Sequence, residues 1–577
     1  MKWRRWFSRG WPLAATGLGF CAFLAALGWL SRPKLGDPRA TYDPAEVREV
    51  RKARAMELSL DDPPVLWQDV DYGQGEAAAW YPKGEAPVLR ELVEAGDLPP
   101  VAERVGPEPV VLRGAQGVGQ YGGTLIRVGQ DVGDIQTVCS SRMAYGNLVR
   151  WSPQGAPLVP HIAKGWTVSP DRREFIFELR KGVRWSDGER YTADDIMYWW
   201  QMEAPERWLH SVLPQFMSQG DVHGTVEKLG PYKVKFTFPR PHGLFLELVA
   251  FWAAREMCNC PAHYLKQYHP KHGDQELIER TLKARGGSGS AEALYREIKS
   301  PLNPEHPRLW PWVCRRYRAN PPFTFVRNPY YPVVDAAGNQ LPYIDRVVYQ
   351  KKAKGMIPIA ASNGEITFQG RHLVFDDYTE LMANRRRNGY RVLHWYSQKS
   401  EFTVFPNINR RVEPGKPATR WKRHLLQDKR FRQALSLALD RERIIQAEYG
   451  GQITPAQVAP RPGSPFYLEG ADQRFVAHKP DRANELLNEL GLTKRDRAGY
   501  RAFPDGSRMS FFLELNEFTG TGPAQLLADD WKKVGVRVTL RMRARNLFGF
   551  ERASLEHDLD VWSSGGFLLP LLDRGLV

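Results

Sequence analysis

PLVPHIAKGWTVSPDRREFIFELRKGVRWSDGERYTADDIMYWW, residues 157–200, sets a strand, a tight turn and a capped helix in close succession. Phe175, Phe177 and Leu179 alternate with Ile176, Glu178 and Arg180, the period-2 pattern of a strand with one buried face. Ser186-Asp187-Gly188 is turn chemistry, because Gly takes positive φ freely and Asp bonds its own backbone. Thr192 with Asp195 three residues on forms a capping box, and Ile196, Trp199 and Trp200 give the helix that follows an apolar stripe.

The same alternation of strands and helices continues outward. Residues 124–128 and 232–238 read as strands, and 274–300 as a helical insertion broken by Gly286-Gly287-Ser288-Gly289. Residues 321–349 read as strand, turn, strand, with the turn over Asp335–Asn339. Upstream, Val88, Leu89, Leu92 and Val93 make a helical stripe that Gly96 ends. Downstream, Phe431, Ala434, Leu435, Ala438 and Leu439 share one helical face, and Asp440 caps the next helix, which Gly450-Gly451 ends. Ala483, Leu486, Leu487 and Leu490 line a helix that stops at Gly491, and a helix near 524–534 runs through Gly535 into a strand of Val536, Val538, Leu540 and Met542. Strands interleaved with helices predict α/β layers.

At 577 residues the chain exceeds the size at which one core keeps growing, so two or more lobes are expected. Lys2, Arg4, Arg5 and Arg9 precede an uncharged run from Trp11 to Leu30, long enough to span a bilayer. This reads as an export signal, cleaved after Ala26-Leu27-Gly28 or retained as an anchor, and it leaves the rest outside the cytoplasm. Phe20 before Cys21 does not fit a lipoprotein box, and no second hydrophobic span follows, which excludes a permease. Residues 31–75 read as a polar tether with a short helix near 45–57. The net charge of +16 is scattered and comes without a nucleic-acid module; it reads as a solvated surface.

Chemistry-bearing motifs are few. Residues 117–122, GVGQYG, spell a dinucleotide fingerprint, but YGGTLIRV continues as a strand where the cofactor needs a helix, so no cofactor is expected. CNCPAHYLKQYHPKH, with Cys258, Cys260, His263, His269 and His272, is the best metal-like cluster, yet its spacing is not that of a known zinc site; no metal or catalytic residue is assigned. Four cysteines beyond the export segment allow three disulfide pairings, with Cys258 or Cys260 to Cys314 preferred. HExxH, GxSxG and GxxxxGK[ST] are all absent; without a P-loop the chain is not an ATPase.

The 157–200 stretch, RNPYY…VD…GNQLPYID at 327–345, RFRQALSLALDRERII, HKPDRANELLNELGL and WKKVGVRVTL together resemble, in order, the family 5 extracytoplasmic solute-binding proteins of ABC importers. With 86–113 and YGGTLIRV, they resemble its large-bodied subgroup. The resemblance covers roughly residues 86–577. It implies a two-lobed periplasmic-binding-protein fold of type II with an extra first-lobe subdomain and a hinged cleft, the hinge near Leu341–Lys351. The expected division is 1–30 signal or anchor, 31–113 tether and N-terminal extension, 114–345 first lobe, and 346–577 second lobe. The family's return segment to the first lobe is not found before Val577. The implied function is capture of a peptide, sugar or similar solute and its delivery to an ABC permease and ATPase complex. The implied setting is the periplasm, with membrane attachment through the N-terminal segment and no nucleic-acid partner. Three segments match cleft-lining parts of the family. TVCSSRMAYGN at 137–147 offers Cys139, Met143 and Tyr145 as contacts. FTVFPNIN at 402–409 offers Asn407 and Asn409 as hydrogen-bonding groups, and DVWSSGG at 560–566 offers Trp562 as a stacking face. Peptide receptors of the family hold the ligand's α-amine with an Asp just after the segment matching Trp562, whereas Gly565-Gly566-Phe567-Leu568-Leu569 carries no carboxylate. The rival reading is an envelope zinc hydrolase using the 258–272 cluster.

Overall fold

A computed structural model describes residues 22–23 and 67–565, apart from 115–116, 144–145, 153–156, 211–212, 288, 316–321, 394–398, 461–465 and 517–518. The export segment, the helix expected near 45–57 and residues 566–577 lie outside this description, Ala22 and Phe23 excepted. Among the described residues no helix is long and apolar enough to cross a membrane. The chain divides into two compact units. One comprises residues up to Leu125 together with Val138–Val348, and the other Ile126–Thr137 with residues from Tyr349 onward.

The strands used below are β1 (Val110–Leu112), β2 (Thr124–Gly129), β3 (Ala163–Val168), β4 (Glu174–Leu179), β5 (Thr225–Gly230), β6 (Lys233–Thr237), β7 (Trp312–Cys314), β8 (Phe323–Arg327), β9 (Val333–Asp335), β10 (Arg346–Lys351), β11 (Lys399–Pro406), β12 (Phe511–Asn516), β13 (Val538–Arg543) and β14 (Leu559–Gly565). The helices are α1 (Pro87–Glu94), α2 (Val132–Val138), α3 (Ala193–Tyr198), α4 (Ala291–Ile298), α5 (Lys429–Leu437), α6 (Pro480–Glu489), α7 (Gly522–Lys533) and α8 (Arg545–Ala553).

In the first unit, β3–β4–β6–β5 form an antiparallel sheet. The strand read from Phe175, Phe177 and Leu179 is β4, and all three side chains are buried. Phe177 meets Phe236 edge-on at 5.6 Å, and Phe175 lies 4.5 Å from Phe245, so the core here is aromatic. The Ser186–Gly188 turn closes through Gly188 N–H donating to Trp185 O, with φ of 95° at Gly188. The capping box at Thr192 and Asp195 is formed, and Asp195 Oδ1 also accepts from Ala262 N–H at 2.9 Å. α3 does not end in an α-turn; it runs into a π-helical turn, Trp199–Glu203.

A second sheet, β7–β8–β10–β2, contains the strands on which the chain passes between units, at Leu125/Ile126 in β2 and Val348/Tyr349 in β10. Residues 321–349 hold three strands rather than two, because Val333–Asp335 pairs in parallel with Val110–Leu112. Residues 67–113 thus belong to the body of the first unit: Trp80, Val101, Val105 and Val111 pack with Val334. α1 buries Leu89, while Val88 and Leu92 stay 46 % and 39 % exposed, so the stripe seen in sequence is only partly used. The GVGQYG loop opens no helix. Gly122 N–H donates to Tyr343 O at 2.9 Å, and a Cβ at Gly119 would fall 2.3 Å from the Tyr343 ring.

The second unit is built on the mixed sheet β11–β14–β12–β13. Its core joins Phe431, Ala434 and Leu435 of α5, Ala483, Leu486 and Leu487 of α6, Leu527 and Trp531 of α7, and Phe511, Leu513 and Leu515 of β12. Asp440 caps its helix by accepting from Arg443 N–H at 3.0 Å, and Gly450 ends it in the left-handed region. Met542, expected on the apolar face of its strand, is 51 % exposed at the end of β13.

Candidate functional site

The three segments implicated by sequence fall in both units. The first begins in the second unit and ends in the first. Asp131 starts α2 by accepting from Asp134 N–H at 2.8 Å, and the π-helical turn Cys139–Met143 follows directly. Cys139 is 0 % and Met143 7 % exposed; Ser140 and Ser141 are half-buried and Arg142 is exposed. Tyr145 lies outside the described residues. Asn147, buried two residues on, donates from Nδ2 to Val249 O at 3.0 Å and Phe251 O at 2.8 Å, which fixes where this segment joins the first-unit core.

The second segment is β11 and the turn after it. Asn407 is buried and its side chain is committed locally. Nδ2 donates to His557 O at 2.8 Å and Leu555 O at 3.3 Å, and Oδ1 accepts from Asn409 N–H at 3.1 Å. Asn407 therefore ties the end of β11 to the start of β14, whereas Asn409 is exposed. Beside them Asp558, not singled out by sequence, accepts from Arg410 Nε at 2.9 Å, Lys422 Nζ at 2.6 Å and Phe512 N–H at 2.9 Å.

The third segment is β14. Trp562 is half-buried and stacks on Phe548 of α8, with ring centroids 5.8 Å apart and planes 29° apart. Opposite it across β11 is Thr403. On the same face Asp560 lies level with Glu514 of β12. Arg552 Nε is 2.6 Å from Asp560 Oδ2 and His557 Nε2 is 3.5 Å away, yet neither Asp560 oxygen has an aligned hydrogen bond. Burial pushes the Asp560 carboxyl up to about 6 and raises that of Glu514. Glu514 faces Arg543 at 3.1 Å and Arg541 at 3.5 Å. The second unit thus carries Asn407 and Asn409 just past the end of β11 and Trp562 midway along the neighbouring β14, opposite Thr403; Cys139 and Met143 belong to the first unit. The charged face of β12, β13 and β14 was missed in sequence. Its signal was Glu514, Arg541, Arg543, Asp558 and Asp560 at alternate positions of three apolar strands.

The 258–272 cluster is not assembled as a metal site: among the described residues no group of three or more His, Cys, Asp or Glu is set to hold an ion. Cys258 Sγ lies 3.5 Å from Tyr191 Oη, and Cys260 Sγ donates to Glu203 Oε2 at 3.0 Å. His263 Nε2 sits 2.8 Å from Asp187 Oδ2, and His269 Nε2 is 2.9 Å from Met202 O. Cys258 and Cys260 are both thiols, so the disulfide to Cys314 preferred from sequence is not formed. Burial pushes Cys258 up to about 12 and Cys260 well above its ordinary value, so neither is a thiolate at neutral pH.

The family described as "Bacterial extracellular solute-binding proteins, family 5 Middle" matches residues 157–570. The periplasmic alpha-galactoside-binding protein of Rhizobium meliloti (strain 1021) is 27 % identical over 498 residues; the match covers 78 % of this chain and 66 % of that protein, just under two thirds. Among solved structures, an oligopeptide-binding protein OppA is similar with a TM-score of 0.63 and 35 % identity, over 84 % of this chain and 76 % of the other. The periplasmic binding protein MelB of Agrobacterium fabrum C58, solved with stachyose, is similar with a TM-score of 0.65 and 22 % identity, over 88 % of this chain and 79 % of the other. This last likeness bears on the fold alone.

Proposed function

The chain belongs to family 5 of the bacterial extracellular solute-binding proteins, and from that premise we propose that it is an extracytoplasmic receptor which captures a peptide or an oligosaccharide between its two lobes and hands it unchanged to an ABC permease. The observation that carries this is the extent of the family match, residues 157–570, which runs through both units. Closure of two lobes on a solute shifts a pre-existing equilibrium in proportion to the solute's differential affinity for the closed form, so binding needs no chemical step. The chain carries out no catalysis in this reading. Of the five Cys and His residues that a zinc hydrolase would use, Cys258, Cys260, His263 and His269 each meet a different neighbour, and His272 packs its ring against His269 at 4.9 Å; none of these contacts joins two of them to a common ligand point.

Between the two solute classes, residues 565–569 favour the oligosaccharide. A buried peptide ammonium without a counter-charge costs several kcal/mol, and Gly565-Gly566-Phe567-Leu568-Leu569 supplies none. The alpha-galactoside-binding relative supports the same class. Residues 1–30 keep the receptor outside the cytoplasm, as a cleaved signal or a retained anchor.

Native mass spectrometry of the purified full chain, followed by calorimetric titration with stachyose and with short free-amine peptides, tests the proposal. The expected result is stoichiometric binding of stachyose, recovered unaltered, with peptides weaker. Tight peptide binding would reverse the choice of class. A solute recovered hydrolysed, or stoichiometric zinc whose chelation abolishes an activity, would overturn the receptor reading.

A further inference from the structure

Two short helices of the second unit set an apolar ridge beside a basic run. The helix Met356–Ser362 buries Ile357, Ala360 and Ser362. Met356 and Ile359 are 51 % and 42 % exposed, and Asn363 just past the helix is exposed as well. At spacings of three and four residues these three share one face. A single exposed apolar side chain needs no explanation; two on one ridge, next to unpaired cations, do.

The basic run is Arg385-Arg386-Arg387, directly after the helix Tyr378–Asn384. Hydrogen bonds on either side of the run hold it against the end of the first helix. Asn384 Nδ2 donates to Ser362 Oγ at 2.9 Å, and Asn388 Nδ2 donates to Ser362 O at 2.6 Å. A Cβ at Gly364 would fall 2.9 Å from Asn388 O, so the two segments are in contact there. Ser362 lies three residues on from Ile359, which puts the run alongside the ridge.

Cations after a helix ordinarily serve its dipole and its last carbonyls. Arg385 does so, with Nη1 donating to Met382 O. Arg386 and Arg387 are exposed, and neither forms an ion pair among the described residues. The carboxylate at this end, Glu365, is engaged by Lys352 Nζ at 2.9 Å and Asn363 Nδ2 at 3.3 Å. Asp376, Asp377 and Glu380 stand at the opposite end of the second helix.

Apolar side chains set among unpaired cations suit an anionic bilayer surface, where the first enter the headgroup boundary and the second meet phosphates. The net charge of +16 favours approach to such a surface, and residues 1–30 read as a segment that takes the chain to a bilayer. We propose that Met356, Ile359, Arg386 and Arg387 form a docking face for anionic phospholipid, the two arginines on headgroup phosphates and the two apolar side chains at the headgroup–acyl boundary. The proposal rests on the export reading of residues 1–30. It is measured without solute, so it fails or stands apart from stachyose binding.

Hydrogen exchange read by mass spectrometry on the full chain compares vesicles of phosphatidylcholine alone with vesicles that also hold phosphatidylglycerol. Amides of 356–363 and 384–391 are expected to slow about threefold or more on the anionic vesicles only. The slowing should vanish at about 1 M salt, where the screening length is about 3 Å. Arg386→Glu with Arg387→Glu should abolish it, and Met356→Ser with Ile359→Ser should reduce it. Arg420→Glu with Arg423→Glu, a second exposed basic pair on the same unit, should leave it intact. Every variant keeps residues 1–30, so a loss confined to the first two belongs to the face. All the substituted side chains are exposed, and unchanged exchange across β12 verifies the fold. Equal slowing on both kinds of vesicle, no slowing, or equal loss from the two arginine pairs overturns the proposal. Slowing that appears without vesicles and grows with protein concentration also overturns it, and assigns the face to a second copy of the chain.

Discussion

Asp134 and Asp560 show how one residue type takes opposite electrostatic roles. Each has an arginine nitrogen within 2.7 Å. Burial raises both, but at Asp134 the bonds from His372, Arg371 and Gln130 N–H outweigh it and hold the carboxyl down to about 2. At Asp560 no aligned hydrogen bond offsets burial, and the carboxyl rises to about 6. The linkage signs follow. Asp134 releases its proton more readily folded than unfolded, so it stabilises above about pH 4, and that contribution fades as pH falls toward 2. Asp560 holds its proton more tightly when folded, so stability drops as pH rises from about 4 through 6. Asp560→Asn is therefore expected to stabilise the second unit at pH 7 by on the order of 2 kcal/mol and to flatten its pH dependence between about 4 and 6. Urea melts at a series of pH values read this directly; a loss of stability at pH 7 would mean that the Arg552 ion pair outweighs desolvation. Neither environment was readable from sequence. Asp134 depends on a partner segment more than two hundred residues away, and Asp560 on the register of β14 against β12. Asn407 was read as a polar group for the solute because its segment resembles a cleft-lining strand of the family, and what its amide does locally depends on the path of residues 555–557.

At the scale of elements, local signals were legible and distant pairings were not. The capping box at Thr192, the alternation in β4 and the glycine stops after α6 and α7 depend on residues within a turn of one another, and each forms as read. The π-turns were missed because one added residue barely disturbs an apolar stripe. β9 was missed because a three-residue strand has almost no period, and its partner, Val110–Leu112, is distant in the chain. That pairing draws residues 67–113 into the first unit, and the Asp335–Asn339 turn completes it. Lys83 N–H and Gly84 N–H both donate to Gly338 O, and Gln340 N–H donates to Gly84 O at 2.8 Å. Gly338 has φ of 82°, and a Cβ there would fall 2.1 Å from Tyr81 O, a backbone atom that cannot rotate aside. Gly338→Ala should cost about 2 kcal/mol or more, from left-handed strain and this contact together. Limited proteolysis should then cut within 67–113 much faster than in the parent. Unchanged cleavage would show that the N-terminal block is held mainly by Trp80, Val105 and Val111 against Val334.

For the whole molecule, the sequence length pointed to more than one core, and each unit has its own: aromatic around Phe175, Phe177, Phe236 and Phe245 in the first, mainly aliphatic around Leu435, Leu487, Leu513 and Leu527 in the second. The chain crosses between them within β2, within α2 and within β10, so neither unit is continuous in sequence. Separate cores favour separate unfolding, and three crossings favour coupling; substitutions decide which prevails. Leu513→Ala removes a fully buried side chain and should cost about 2–5 kcal/mol, whereas Phe177→Leu, a smaller volume change, should cost about 1–2 kcal/mol. If the cores are energetically independent, the two losses add within about 0.5 kcal/mol, and each shifts only its own denaturation transition. A coupling above about 1 kcal/mol, or one joint transition, would mean that the crossings bind the units into one cooperative body. The same melts separate two modes of solute capture. A solute held by both units binds only while both are folded, so it raises the transition of whichever unit melts first, by about 2.7 kcal/mol at a hundredfold excess over Kd, and leaves the later one unshifted. A solute seated on one unit raises that unit's transition whether or not the other unit is folded. Stachyose should therefore raise the first-unit transition wherever the second unit is still folded, and lose that effect in Leu513→Ala wherever the variant's second unit has already unfolded. Retention of the first-unit shift after the second unit has melted would contradict capture between two lobes.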